Sequence, residues 1–397
     1  MIRAIAFILL TKNGKGNDML IKDVSARIIN DSRGESTIEV SVNGAEPASS
    51  PSGKSTGKYE TKPYYRDLKF CVSFLNEWGD RTQLMKFEGL VIIEDLIRKK
   101  LNLKEARLFG GNALFAFESA ILKALAREQK KELWEIVNPH ATKFPRPVGN
   151  VIGGGLHTKG KIKPVFQEFL LIPREKTFSD NVNVMKKTYA DIGKRLKANK
   201  INDEGAWGAS LNDEEALKIL SEYGSVDLGV DIAASAFYKN KIYNYGEMKR
   251  TEEAHIEHIV QLIKTYGVFY VEDPLEEEDF EGFAEIKKKC REAMIVGDDL
   301  TATHLNRLEK AIEKRAVSAM IVKPNQNGSL LEVKKIVELC RKHGIKTVMS
   351  HRSGETMDDA LADYAFAFQC DFIKCGIATK WRECKLNRMC EIEKSFG

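Results

Sequence analysis

The chain has no apolar run long enough to cross a bilayer, no CxxC pair and no strong excess of one charge. Each absence removes a class of protein. The N-terminal run IRAIAFILL falls well short of the roughly 20 residues a spanning helix needs, and no small-residue cleavage site follows it, so it is neither an anchor nor a convincing signal. Seven cysteines, an odd number, argue for reduced thiols in a cytoplasmic protein and against a disulfide scaffold. Cys370, Cys375, Cys384 and Cys390 crowd the C-terminus, yet their spacing fits neither a zinc ribbon nor the common iron–sulfur arrangements. The net charge is only +5, with lysines scattered along helix-like stretches such as FAEIKKKCREAM, which favours a solvated face over a nucleic-acid groove. The expectation is no nucleic-acid partner and no membrane partner. Gly53-Lys54-Ser55-Thr56 hints at a phosphate-binding P-loop, but that motif needs a glycine five residues before Gly53, and position 48 is Ala48. By itself this stretch reads as a hydroxyl-rich surface loop, able to close over a ligand.

What is present is ordinary soluble-enzyme material: 43% hydrophobic and 30% charged residues over 397 positions, enough for a large core. A barrel of roughly 250 residues would leave room for a second module. Residues 1–18 read as an added strand or, preferably, an upstream start codon, with TKNGKGND as a linker before Met19. Residues 19–140 read as an α+β capping domain: STIEVSVNG alternates like a half-buried strand, and NALFAFESAILKALAREQKKELWEIV has helical spacing with a charged opposite face. Gly110 and Gly111 mark a loop before that helix, and the proline-rich PHATKFPRPVG marks the boundary to residues 141–397.

In that second part, short apolar runs recur about every 25 residues and end on an acid or a base. They are VDLGVD to Asp231, VFYVEDP with Glu272, AMIVGDD with Asp298, SAMIVKPN with Lys323 and FIKCG with Lys374; TVMSHRSG, with His351 and Arg352, falls between the last two. The spacing matches strand-plus-helix units and predicts a parallel (β/α)8-type barrel. Any one of these charges could simply mark where a strand meets water. Six in register would gather at the barrel mouth, and three carboxylates beside lysines suit a hard divalent cation such as Mg²⁺ better than zinc.

The segments SARIINDSRGESTIEV, PSGKSTGKYE, FGGNALFAFESAILKALA, FQEFLLIP, DEG, VDIAAS, VEDP, GDDLTAT, VKPNQNGSLLE and SHRSGET together closely resemble the enolase family, from about Met19 almost to the end. The resemblance implies a hydro-lyase of glycolysis that takes water from 2-phosphoglycerate to give phosphoenolpyruvate. A lysine or histidine base with one or two Mg²⁺ ions stabilising an ene-diolate is the known arrangement of that superfamily. By resemblance Lys323 is the base, its pKa lowered by positive charge from the metal and Lys374, and Glu204 is the acid that protonates the leaving hydroxyl, with Glu168 as its partner. Asp231, Glu272 and Asp298 match the ligands of one Mg²⁺, and Ser55 with the substrate phosphate would complete a second. Lys374 would hold the substrate carboxylate, Arg352 and Ser353 the phosphate, and His157, Gln167 and His351 match substrate-side positions. The family also implies a homodimer or higher homo-oligomer.

The chain departs from the family pattern in four places. His157 to Glu168 is two residues longer than usual, Ala206-Trp207-Gly208-Ala209 replaces Gly-Phe-Ala-Pro, and KPYYRDLKFCVSFLNEW follows GKYE. The tail IKCGIATKWREC is one residue shorter, with Lys380-Trp381-Arg382 in place of Ser-Glu-Arg. These changes keep two other readings open: an enolase-derived binding or scaffold protein with little turnover, and another lyase or racemase of the superfamily acting on a different carboxylate.

Overall fold

A computed structural model describes residues 18–54, 57–155, 163–246 and 248–396. The expectations for residues 1–17, for Ser55 and for His157 lie outside the described residues.

An antiparallel meander opens the fold: β1 (Val24–Asn30), β2 (Ser36–Val42) and β3 (Ala48–Ser49). Ile38, Val40 and Val42 are buried while Glu39 and Ser41 stay half-exposed, the alternation expected of a strand with one wet face. Helices α1 (Leu68–Asn76), α2 (Leu90–Leu101) and α3 (Gly111–Gln129) follow. Helix α3 differs from the amphipathic helix read from the sequence. Every residue from Gly111 to Ala126 is buried, because α3 lies between β2 and the barrel turn Pro324–Asn327. It also stops at Gln129, where Lys130 turns left-handed, and Leu133–Val137 forms a separate short helix. The approach to the barrel requires glycine at its start: a Cβ on Gly111 would lie 2.2 Å from the Asn325 carbonyl oxygen.

Eight strands then close into a barrel: β4 (Arg146–Gly153), β5 (Glu168–Pro173), β6 (Val226–Asp231), β7 (Val268–Glu272), β8 (Met294–Gly297), β9 (Ala319–Val322), β10 (Lys346–Ser350) and β11 (Phe372–Lys374), with β11 pairing back to β4. Outside them pack α4 (Phe178–Arg195), α5 (Asp213–Ser221), α6 (Glu252–Tyr266), α7 (Phe280–Lys289), α8 (Leu305–Lys314), α9 (Leu330–Lys342), α10 (Ala360–Ala367) and α11 (Lys380–Lys394). Local chemistry sets the ends of these helices. In α6, the Thr251 side chain accepts from Ala254 N, and Gly267 in the left-handed region stops the helix one residue before β7.

The barrel is not wholly parallel. Strand β5 runs antiparallel to both β4 and β6, which corrects the all-parallel expectation. The connection from β4 carries glycines, lysines and a proline but no helical apolar period, so the chain returns as a hairpin rather than crossing over. Val148, Leu170, Ile172, Tyr270, Val296, Ile321 and Val348 fill the interior. Arg146 plugs the far end, bonding Asp227 at 2.7 Å and the Ile172 carbonyl at 3.0 Å. Among the described residues no helix is long and apolar enough to cross a membrane.

Glu118 ties α3 to α9 without any cation. Its Oε2 accepts from Leu330 N at 2.7 Å, and its neighbour Glu94 accepts from Ser329 Oγ. Burial, with Glu94 acting in the same direction, pushes the Glu118 carboxyl well above the usual range. The folded state therefore keeps a proton that the unfolded chain releases, and stability falls as pH rises above the unfolded carboxyl value. Glu118→Gln removes that loss. It should raise the melting temperature at about pH 8 and change it little at about pH 4, measured by calorimetry; a parallel pH dependence in parent and variant would contradict a protonated Glu118.

Candidate active site

Three neighbouring strands deliver acids to one end of the barrel: β6 ends on Asp231, β7 on Glu272, and Asp298 follows β8 directly. Lys323 follows β9 and Lys374 ends β11. Because β5 is inverted, it contributes from its beginning, and Glu168 sits level with Asp231. Gln167, Glu168, Glu204, Asp231, Asp298, Lys323, His351, Arg352, Ser353 and Lys374 all line one cavity of 400 Å³; Glu272 is fully buried beside it.

Lys374 organises the floor. Its Nζ lies 2.5 Å from Glu168, 2.8 Å from Glu272 and 3.3 Å from Asp231. Burial alone would drive the ammonium neutral, but the surrounding carboxylates reverse this and hold it well above the usual lysine value. Asp231 is pushed up to about 6 by burial, with Lys374 opposing and Glu168 adding to the rise. Gln167 Nε2 donates to Asp231 at 3.4 Å, and the Tyr270 hydroxyl donates to Glu272 at 2.6 Å.

Lys323 bonds Asp298. Burial lowers its pKa, yet the Asp298 charge outweighs that and leaves the lysine above its ordinary value. The expectation of a depressed Lys323 counted the metal and Lys374 but not the paired Asp298 carboxylate, which here acts in the opposite direction.

Glu168 and Glu204 share a bridge that sequence reasoning missed. Asn150 Nδ2 donates to Glu168 at 2.7 Å and to Glu204 at 3.3 Å. Burial pushes Glu168 up to about 7, with Glu204 adding to the rise and Lys374 opposing it. Asn150 lies mid-strand in VGNVIGGG, and a polar residue between apolar neighbours on a buried strand was its signal.

Residues that precede the barrel supply the other wall. Ser52 pairs with Gly354 in an antiparallel bridge, Lys54 N donates to Ser353 Oγ at 2.9 Å, and the Lys54 side chain reaches Asp203 at 3.1 Å. Arg352 donates to both oxygens of Glu60, at 3.0 and 2.9 Å, and to Asn325 at 3.4 Å. Arg307 stacks on the Tyr59 ring at 3.8 Å, so the GKYE segment is anchored on both sides of its turn.

The residues fit a divalent cation. Asp231, Glu272 and Asp298 are hard oxygen donors on adjacent strand ends, and Asp298 Oδ1 is buried with no hydrogen-bond partner among the described residues. Acidic or histidine ligand atoms within 4.8 Å of one another occur, among the described residues, in Asp273–Asp298–Asp299 and Glu168–Glu204–His351. Lys374 and Lys323 stand among the three expected ligands, which flank one another without reaching that spacing. Asp273 has a different task from Glu272 beside it: its oxygens accept Asp298 N at 2.9 Å and Asp299 N at 2.7 Å, fixing the Asp298 turn.

A capped barrel with acids and lysines converging at one mouth defines a barrel enzyme suited to chemistry on an anionic substrate. The family model for the enolase C-terminal TIM barrel domain matches residues 141–397. Over 95% of its length the chain is 35% identical to an enolase of Picrophilus torridus (99% of that protein) and 36% identical to one of Archaeoglobus fulgidus (98%). It is 36% identical to an enolase of Methanothermobacter thermautotrophicus over 96% of this chain and 97% of that protein. The chain belongs to the enolase family.

Since Asp273 positions Asp298 through two backbone amides, Asp273→Ala should weaken any divalent-cation binding at this site by about 10- to 100-fold in calorimetric titration. Unaltered affinity would show that the Asp298 turn holds its shape without that carboxylate.

Proposed function

We propose that this chain reversibly dehydrates 2-phosphoglycerate to phosphoenolpyruvate in glycolysis and gluconeogenesis, with Mg²⁺ held by Asp231, Glu272 and Asp298. Ser55 and the substrate phosphate would complete a second ion. One observation carries the reading: Glu168, which Asn150 joins to the acid Glu204, and Lys323 after β9 lie four strands apart in a ring of eight, so the carboxyl pair and the base face each other across the mouth. A proton can leave one side of the substrate while the hydroxyl is protonated on the other.

Asp231, Glu272 and Asp298 would hold Mg²⁺, which would supply charge stabilisation at the substrate carboxylate, and a ligand role for Asp298 would loosen its pairing with Lys323. Lys323 then takes the proton from the carbon beside the carboxylate. Lys374 holds that carboxylate with its ammonium. Glu204 protonates the departing hydroxyl, and Glu168, joined to it through Asn150 and itself raised to about 7 by burial, is the neighbouring carboxyl with which it exchanges a proton. Arg352 and Ser353 receive the phosphate, His351 and Gln167 contact the substrate from the walls, and His157 keeps the substrate-side role that the family resemblance gives it. Residues 19–140 act as the capping domain and 141–397 as the catalytic one, in a cytoplasmic homodimer or higher homo-oligomer.

The direct test is phosphoenolpyruvate formation from 2-phosphoglycerate, followed by ultraviolet absorbance with Mg²⁺ and with chelator. Chelator-sensitive turnover is expected; a folded, Mg²⁺-binding protein without turnover would overturn the reading. Lys323→Ala should cut kcat by about 10²- to 10⁴-fold and leave calorimetric Mg²⁺ affinity largely intact. Near-normal turnover in that variant would remove Lys323 from the role of base.

A further inference from the structure

Arg382 is a fully buried arginine at 1% exposure, and no role has yet been assigned to it. Thr379 at φ 78 turns the chain into α11, and Arg382 sits in the first turn of that helix. Its Nη1 lies 2.6 Å from His351 Nδ1 and 2.6 Å from the Arg352 carbonyl oxygen. Its Nη2 donates to the Ser353 carbonyl at 2.8 Å and to the Asp203 carbonyl at 3.3 Å. One guanidinium therefore ties together the loop that carries His351, Arg352 and Ser353, and the loop that carries Glu204. The shorter tail still delivers an arginine to this junction.

The contact with His351 has a chemical consequence. A guanidinium has donors and no acceptor, so His351 Nδ1 must offer its lone pair. A doubly protonated ring cannot do that, and neither can the tautomer with its proton on Nδ1. We infer that Arg382 is a positioning residue that locks His351 as the neutral tautomer with its proton on Nε2, so that His351 meets the substrate as a hydrogen-bond donor and not as a base. The surroundings agree. His351 lines the cavity, and one of its ring nitrogens lies within 4.8 Å of carboxylate oxygens of Glu168 and Glu204. Burial, with Arg382, Lys374 and Lys323 acting in the same direction, keeps the ring from gaining a second proton. The backbone bond from His351 N to the Lys374 carbonyl, 2.8 Å, fixes the residue from its other side.

The role in turnover rests on the proposed reaction, while the tautomer does not. Nitrogen-15 NMR of histidine-labelled full-length protein, with His351 assigned by the signals lost in His351→Gln, reads the tautomer without turnover. The expected result is an unprotonated Nδ1 and a protonated Nε2 in the parent chain and in Arg382→Lys, which keeps a charged donor. Arg382→Met should lose the fixed tautomer and lower kcat by about 10²-fold with a smaller change in KM, with Arg382→Lys recovering much of the rate. A proton on Nδ1, or a doubly protonated ring, in the parent chain at neutral pH would overturn the inference. So would a folded Arg382→Met with the parent tautomer, since a purely structural arginine would lower stability and leave the ring unchanged. Should Arg382→Met fail to fold, the parent and Arg382→Lys spectra decide alone. A parent protein that shows the expected tautomer but makes no phosphoenolpyruvate would refute the proposed reaction and leave the inference standing.

Discussion

Burying several carboxylates at one end of a barrel is strongly unfavourable unless cations are buried with them, and the Lys374 ammonium among Glu168, Asp231 and Glu272 meets that condition. Lys323 does the same for Asp298. The protein's own cations balance these acids, so the site is organised by charge balance. Burial and that balance together set the proton affinities: burial raises Glu168 to about 7 and Asp231 to about 6 against the pull of Lys374, while Lys323 is held charged by its partner.

The inverted strand β5 gives the site its second face. In an all-parallel barrel the first residue of a strand lies at the far end, away from the chemistry. Turning β5 over brings Gln167 and Glu168 to the mouth, opposite Lys323. The cap then supplies Lys54, Tyr59 and Glu60 to the rim through contacts that span most of the chain. The buried helix α3 fixes the N-terminal elements against the turn after Lys323, so the loop at residues 57–60 and Lys323 share one support.

Much of this was legible in the chain because strand-end charges follow apolar runs at a constant spacing, and VFYVEDP or AMIVGDD can be recognised without neighbours. Asn150, Glu60, Asp273 and Arg382 were not singled out. Each is defined by a partner distant in sequence, such as Arg382 with His351 or Glu60 with Arg352, and a lone polar residue has no period to reveal it. Helix α3 was misread for a related reason: Glu118 and Lys123 look like a solvent face until a barrel is packed on them. The direction of β5 was equally hidden, since FQEFLLIP reads as the same buried strand either way.

The sequence by itself determined the barrel class, the position of the acids and lysines at strand ends and the family, since each depends on local periodicity or on motifs short enough to read in place. The tertiary structure alone decided the inversion of β5, the pairing of Lys323 with Asp298, the burial of α3 and the contact of Arg382 with His351. These depend on which distant groups share a small buried volume, where an unpaired charge or donor is too costly to leave and the nearest partner sets its state.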